Sequence, residues 1–380
     1  MIQRTLFTEE HDMLRTAVRD FFQKEIVPFH DQWEKDGQIS REAWLKAGEM
    51  GILCPCAPVE YGGSGADFRY STIIIEELSK TGCTGPGYFL HSDIVAPYIL
   101  HYGTEEQKKH WIPKMVSGEA ITAIAMSEPA AGSDLQGIKT TAVKQGDHYI
   151  VNGSKTFITN GYMCDMVIVV VKTDAAAGAK GTSLLIMDTS MEGFTKGSPL
   201  KKIGMKAQDT CELFFDNVKV PVSCLLGKEG AGFNYLMQEL PQERLLVGIM
   251  GITTAETAIE KTIQYTKDRN AFGKTVATFQ NTRFKLAELA TETQIGRVFV
   301  DKCIELHLKK ELDVPTAAMM KLAMTDLQCK VVDECLQFHG GYGYIWEYWI
   351  ARAYADSRVQ KIYAGTNEIM KEIIARDIML

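Results

Sequence analysis

The chain has 380 residues, 46% of them hydrophobic and 23% charged, with a formal net charge of −7. That length exceeds one simple core and implies two or three domains of ordinary globular composition. The acidic balance excludes a broad phosphate-binding face, so nucleic acid is not an expected partner, while a local basic pocket for one phosphorylated ligand stays compatible with it.

Met1 to Phe7 contains neither an apolar signal core nor an Arg/Ser-rich, acid-poor leader, so the chain reads as cytoplasmic, or as a processed protein of the mitochondrial matrix. Nine scattered cysteines, an odd number, suit reduced thiols. Cys54-Pro55-Cys56 has neither the redox nor the zinc spacing; it reads as buried structural thiols, and no metal is expected. From Thr8, a natural N-cap, to about Gly118 the pattern is helical, with Leu14, Val18, Phe21, Phe22 and Ile26 recurring at three- and four-residue steps. Pro58 to Gly65 is a loop. Tyr70 to Lys80 and Ser92 to Tyr102 are further helices; Gly103 ends the second, and Thr104 caps the next.

Near Glu119 the period changes. Short β-rich runs follow at Ile121–Met126, Thr141–Val143, Tyr149–Val151, Thr156–Thr159, Met166–Val171, Ser183–Met187 and Leu213–Phe215, most of them separated by Gly, Asp or Asn. Their spacing predicts a small barrel or sandwich. Met166–Val171 is β-branched and far too short for a membrane span, so it is expected to be a buried strand. Ala175 to Gly181 is a surface loop.

From Phe233 to the end the chain reads as long helices broken at Asn270–Thr278, Asp313–Thr316, Gly340–Tyr344 and Tyr363–Thr366, the pattern of a bundle. The order of helices, strands, helices, without a Gly-x-Gly-x-x-Gly after any strand, excludes a Rossmann fold. Within this part, Gln238 to Leu246 sets Glu243 beside Arg244. Pro241 is expected in a helix first turn, which puts Glu243 there too. The helix dipole would then stabilise its carboxylate, while Leu245, Leu246, Val247, Ile249 and Met250 would raise its pKa by closing over it. On this stretch alone a surface Glu and a solvated Arg are the better reading.

Five segments decide otherwise. Met126–Asp134 (MSEPAAGSD), Asn152–Gly161 (NGSKTFITNG), Arg269–Lys274 (RNAFGK), Gln337–Gly343 (QFHGGYG) and Ala364–Glu368 (AGTNE) resemble, in order and spacing, the signatures of the acyl-CoA dehydrogenase family, most closely its long-chain members. The resemblance covers nearly the whole chain. It implies a helical domain over 1–120, a β-barrel or sandwich domain over 121–228 and a four-helix bundle over 229–380. It also implies FAD, oxidation of an acyl-CoA to the trans-2-enoyl-CoA in fatty-acid or branched-acyl β-oxidation, a homotetramer, and an electron-transferring flavoprotein as acceptor.

By the same resemblance Met126, Ser127, Gly132, Ser133, Phe157, Ile158, Thr159, Thr366 and Glu368 meet the flavin of their own subunit. Arg269, Phe272, Gln280, Gln337, Gly340 and Gly341 complete the adenine half of a neighbour's. Most of the family places its catalytic Glu where Ala364 stands here, whereas the long-chain and isovaleryl members use the position of Glu243. Glu243 is thereby the expected base. The Ala364 N–H would hold the thioester oxygen, Arg244 would steady the site, and Ser133 and Gly365 would touch substrate. Gly87 to Tyr98 is expected along the acyl tunnel. Bottom-up, Arg269 is already explained as a helix C-terminal cation, and Pro129 and Gly132 as turn residues. Glu128 is expected to hold its loop through backbone N–H groups, Glu347 to pair with Arg352, and His339 to be a packed imidazole. An oxygen-using flavin oxidase or monooxygenase on the same scaffold is the alternative in mechanism, and a flavin-free acyl-CoA-binding scaffold the alternative in class.

Overall fold

Four-residue apolar spacing becomes helix α1 (Glu9–Glu25), α2 (His30–Asp36), α3 (Arg41–Glu49), α4 (Phe68–Thr81), α5 (Ala96–Tyr102) and α6 (Glu105–Ser117) in the computed structural model, which describes residues 2–379. Val18 and Phe22 of α1 are buried with Trp44, Ile74 and Tyr88, the expected stripe facing its core. Thr104 starts α6 with a capping box: its hydroxyl accepts the Gln107 N–H while the Gln107 side chain accepts the Thr104 N–H. The helix expected from Ser92 is instead a wide π turn, Leu90–Val95, leading into α5. Gln242, on a later helix, donates from Nε2 to the Asp93 carbonyl within that turn at 2.6 Å.

The middle part is one seven-stranded sheet, ordered β1 (Thr122–Ala125), β4 (Met166–Lys172), β2 (Thr141–Gln145), β3 (His148–Thr159), β7 (Thr210–Pro221) and β6 (Phe194–Lys196), with β5 (Thr182–Asp188) paired to β4. The unbroken apolar run of β4 follows from burial on both faces. Val167, Val169 and Val171 enter the core of the sheet, whereas Met166, Ile168 and Val170 pack under the N-terminal helices with Val95, Tyr98 and Ile99. Two runs expected as separate strands, Tyr149–Val151 and Thr156–Thr159, are one strand, because register shifts at Val151/Gly153 and Lys155/Ile158 absorb the polar residues between them.

After β7 the chain forms α7 (Gly232–Asp268), a small hairpin of β8 (Asn270–Ala271) and β9 (Lys274–Thr275), α8 (Gln280–Leu308), α9 (Val314–His339), α10 (Trp349–Ser357) and α11 (Asn367–Met379). Helices α7, α8, α9 and α11 form the bundle, with α7 packed on α8 and α9, and α11 on α9. Gly248 and Gly251 permit the close α7–α9 approach: a Cβ at Gly248 would lie 1.9 Å from the Met320 sulfur, and one at Gly251 3.2 Å from the Met324 carbonyl oxygen. Pro241 lies inside α7, not in its first turn, a correction that moves Glu243 eleven residues beyond the helix start. The apolar packing of Leu245, Leu246, Ile249 and Ile252 offsets the backbone hydrogen bond that an interior proline removes. All nine cysteines are free thiols. Among the described residues no helix is long and apolar enough to cross a membrane.

Candidate active site

Glu243 is buried at 5% exposure on the face of α7 that meets α5. The Tyr98 hydroxyl donates to its Oε1 at 3.0 Å, and among the described residues no other hydrogen bond reaches the carboxylate. Burial pushes its pKa up to about 7, against the opposing hydrogen bond from Tyr98, with Glu239 raising it further and Arg244 lowering it. Mid-helix, the dipole has no purchase on this carboxylate. Of the two effects weighed in the sequence, burial wins, and the solvated pair is overturned: Arg244 is buried as well. Among the described residues its Nε and Nη1 have no hydrogen-bond partner, and burial lowers its pKa. A buried guanidinium with two unused donors is costly unless a ligand supplies acceptors.

The turn Ala364–Thr366 precedes α11 and lies against α9. Ala364 and Gly365 both have positive φ, 51° and 87°. Lys321, inside α9, donates from Nζ to the Gly365 carbonyl at 2.8 Å and to Asn367 Oδ1 at 2.9 Å, fixing the turn. Its pKa is lowered to about 8 by burial and then by the charge of Arg244, so two buried cations share this region. Tyr363, just before the turn, packs on the cluster of Leu246, Met250, Phe89 and Ile94. The Thr366 hydroxyl accepts the Ile369 N–H at the start of α11, and Glu368 is exposed in its first turn.

In the sheet, Glu128 accepts the Lys139 and Thr140 N–H groups at 2.6 and 3.0 Å, the loop-holding role expected of it. It also pairs with fully buried Lys155 at 2.8 Å, and Lys155 donates to the Met126 carbonyl at 3.0 Å. The Ser127 carbonyl accepts the Thr156 N–H at 2.9 Å, so the 126–133 loop is sewn to β3 beside Phe157. Phe157 stands 70% exposed at φ 59°, an apolar wall held in a conformation unfavourable for its residue type. A Cβ added at Gly132 would meet nothing within 4 Å. Ser133 is exposed, Thr159 and Met126 half-buried. Strand alternation sends the Ile158 side chain into the sheet core at 2% exposure, which leaves its main chain as the part a ligand could meet.

The second group gathers at the far end of α7. Arg269, its C-cap, lines an open pocket of about 560 Å³ with Gln337, Gly340, Gly341 and Tyr342. The pocket lining does not include Phe272, 96% exposed in the β8–β9 turn, or Gln280, the exposed first residue of α8. His339 is the packed imidazole expected, stacked on Tyr265 with centroids 4.2 Å apart. Glu347 is not: Arg352 pairs with Asp31 at 2.7 Å and reaches only the main-chain carbonyl of Glu347. Sequence reasoning gave no role to Lys321 or Lys155, and placed Tyr98 only at the end of the tunnel segment, not against Glu243. A lysine inside the apolar run Ala317–Met324 of α9 was the available signal for Lys321.

These residues fit FAD. An exposed aromatic wall, an open glycine on the adjoining loop, hydroxyls at Ser127 and Ser133, and unused guanidinium donors supply what an extended, anionic and flat ligand needs. Three family models match the chain: the acyl-CoA dehydrogenase N-terminal domain over 8–119, the middle domain over 123–218 and the C-terminal domain over 230–379. The mitochondrial long-chain specific acyl-CoA dehydrogenase of Sus scrofa is 54% identical over 99% of this chain and 88% of its own. The crystal structure of an acyl-CoA dehydrogenase from Geobacillus kaustophilus is 54% identical, with a TM-score of 0.98 and full coverage of both chains. A glutaryl-CoA dehydrogenase from Mycobacterium smegmatis, solved in complex with FADH2, is 26% identical with a TM-score of 0.92 over 98% of this chain and 95% of its own. With three matching domain models in sequence order and a relative 54% identical over nearly the whole chain, the chain belongs to the acyl-CoA dehydrogenase family.

Proposed function

We propose that this enzyme oxidises the Cα–Cβ bond of a fatty or branched acyl-CoA to the trans-2-enoyl-CoA, with Glu243 as the base. The observation that carries this is a fully buried carboxylate with a pKa of about 7, held through one oxygen by Tyr98. A base is most effective with its pKa near the working pH. The free Oε2 takes the α proton. The Ala364 N–H, which makes no hydrogen bond among the described residues, and Arg244 supply donors for the thioester oxygen as negative charge develops there. Gly365 and Ser133 border the same space. FAD, when bound, supplies the two-electron acceptor at N5 for the hydride that leaves Cβ. Ser127, Gly132, Ser133, Phe157, Thr159, Thr366 and Glu368 hold it, together with the main chain at Met126 and Ile158.

The acyl tail runs past Tyr88 and Phe89 into the narrow apolar cavity that they line with Ile74, Ile75, Leu78 and Met250. Arg269, Phe272, Gln280, Gln337, Gly340 and Gly341 serve a second subunit. From Glu243 to Arg269 along α7 is 26 residues, roughly 39 Å, which is further than one flavin dinucleotide reaches. Exposed Phe272, Phe284, Ile295 and Val298 on the hairpin and α8 support burial in a homotetramer. A holoprotein that sediments as a monomer would break this reading. We place the domain divisions near residues 120 and 228, electron transfer to an electron-transferring flavoprotein, and the protein in the reducing cytoplasm or mitochondrial matrix that nine free thiols favour.

The test is anaerobic flavin bleaching with short to long, straight and branched acyl-CoAs. The wild type should bleach. Glu243→Gln should bind FAD and thioester yet lose reduction by about a hundred-fold or more, the contribution of a general base. Near-normal reduction in that variant would move the role elsewhere, and rapid reoxidation in air would favour the oxidase alternative.

A further inference from the structure

Helix α7 carries a second buried carboxylate, Glu239, one turn before Glu243 and 7% exposed. Like charges four residues apart on a helix repel, and burying both on an apolar helix makes the repulsion stronger. The opposing helix answers with the same spacing. Tyr98 and Tyr102, four apart on α5, meet them in antiparallel order: the Tyr98 hydroxyl at 3.0 Å from Glu243 Oε1, the Tyr102 hydroxyl at 2.8 Å from Glu239 Oε1. His101 adds its Nδ1 at 2.8 Å from the same Glu239 oxygen, with a side chain 57% exposed to solvent. Tyr102 is fixed by stacking on Tyr235, centroids 4.0 Å apart. The two rungs differ in one respect: the inner one is sealed, the outer one ends in an imidazole at the surface.

We propose that Tyr98 and Glu239 are positioning residues that bias the catalytic Glu243 in opposite directions, Tyr98 by hydrogen-bonding its carboxylate form and Glu239 by like charge, with His101 at the surface setting how much of that charge Glu243 feels. This rests on Glu243 being the base. The groups facing the ladder are Arg244 on α7, whose own neighbour is Lys321 on α9, His307 on α8, and Lys108 and Lys310 around His101. The hydrogen bond to Glu239 raises the pKa of His101 and so favours its protonated, charged form. Loss of the His101 proton leaves the Glu239 charge uncompensated and makes Glu243 harder to ionise.

The experiment is the pH dependence of anaerobic flavin reduction in the holoenzyme at saturating acyl-CoA. Tyr98→Phe should move the acid limb to higher pH and Glu239→Gln should move it to lower pH, each by roughly one unit, with the double variant returning close to wild type. A merely structural role for either residue would change thermal stability or KM and leave the limb where it was. His101→Gln, a surface change, should move the limb upward, and this keeps the proposal open to refutation where a buried variant does not fold. An unmoved limb in His101→Gln, or shifts of the same sign in Tyr98→Phe and Glu239→Gln, overturns the ladder. Normal reduction in Glu243→Gln overturns the choice of base instead, so the two failures are distinguishable.

Discussion

At the scale of single residues, the site is governed by where charge is buried. Ala364 occupies the position where most relatives by resemblance carry their carboxylate, and here its backbone sits at φ 51° on a turn pinned by Lys321. On the proposed assignment, Ala364→Glu with Glu243 retained crowds the site with two carboxylates, which disfavours ionisation of both at neutral pH. Flavin reduction at pH 7 should fall about tenfold or more, since each unit by which the base pKa rises above the working pH removes a factor of ten in its ionised form. A gain in rate would mean that the pocket is built for a base at 364. Glu243 could be singled out from the motif that surrounds it as a candidate base; its buried environment could not be read, because Pro241 suggested a helix start. A proline's fixed φ suits a first turn, but a helix with enough apolar packing carries one inside. The pairings of Tyr98 with Glu243 and of Lys321 with Gly365 stayed invisible because the partners lie 145 and 44 residues apart.

Elements were legible where one periodicity dominated. The N-terminal stripe and the β4 run were readable for that reason, while β3 was split because its polar residues fall on bulges, and β6, of three residues, is too short to leave a pattern. What the pattern could not reveal is how the 126–140 loop is fastened to β3. Lys155 is wholly buried and its pKa is lowered to about 8 by burial, with Glu128 opposing. Glu128 in turn holds two backbone N–H groups of that loop. Lys155→Met leaves the carboxylate buried without its partner, which typically costs about 3–5 kcal/mol. The expected outcome is a lower thermal midpoint together with weaker FAD retention, read by scanning calorimetry and by the flavin content of the purified protein. Lost stability with full FAD retention would show that the loop does not depend on this pair.

Across the whole molecule, the N-terminal helices and the bundle are joined by charge as well as by apolar contact. Glu76 on α4 is fully buried and paired with Arg4 of the N-terminal segment at 2.9 Å, Arg15 of α1 at 2.8 Å and Arg297 of α8 at 2.9 Å. Burial would raise its pKa, but Arg297, Arg4 and Arg15 together hold it down at about 2, below the ordinary 4.5. A carboxylate whose folded pKa is depressed contributes stability above its unfolded pKa, and that contribution is lost as pH falls towards the folded value. The window is therefore from about 4.5 down to about 2, and in it the docking of the N-terminal helices onto the bundle should weaken. Glu76→Gln removes the linkage and leaves the buried Arg297 with its Glu256 partner at 2.5 Å, the Thr253 hydroxyl at 3.0 Å and Asp301 at 3.9 Å. The variant should lose about 3–5 kcal/mol at pH 7. Its denaturant midpoint should also vary less with pH between 5 and 3 than that of the wild type. Parallel curves for the two proteins across that interval would place the acid sensitivity in other carboxylates and reduce Glu76 to a packing role. Unfolding followed separately by flavin release and by far-ultraviolet circular dichroism then locates the weak joint. If the α4–α8 contact gives way first, flavin should leave before the bundle loses its helices, because α4 and α8 both pack against the helix that carries Glu243.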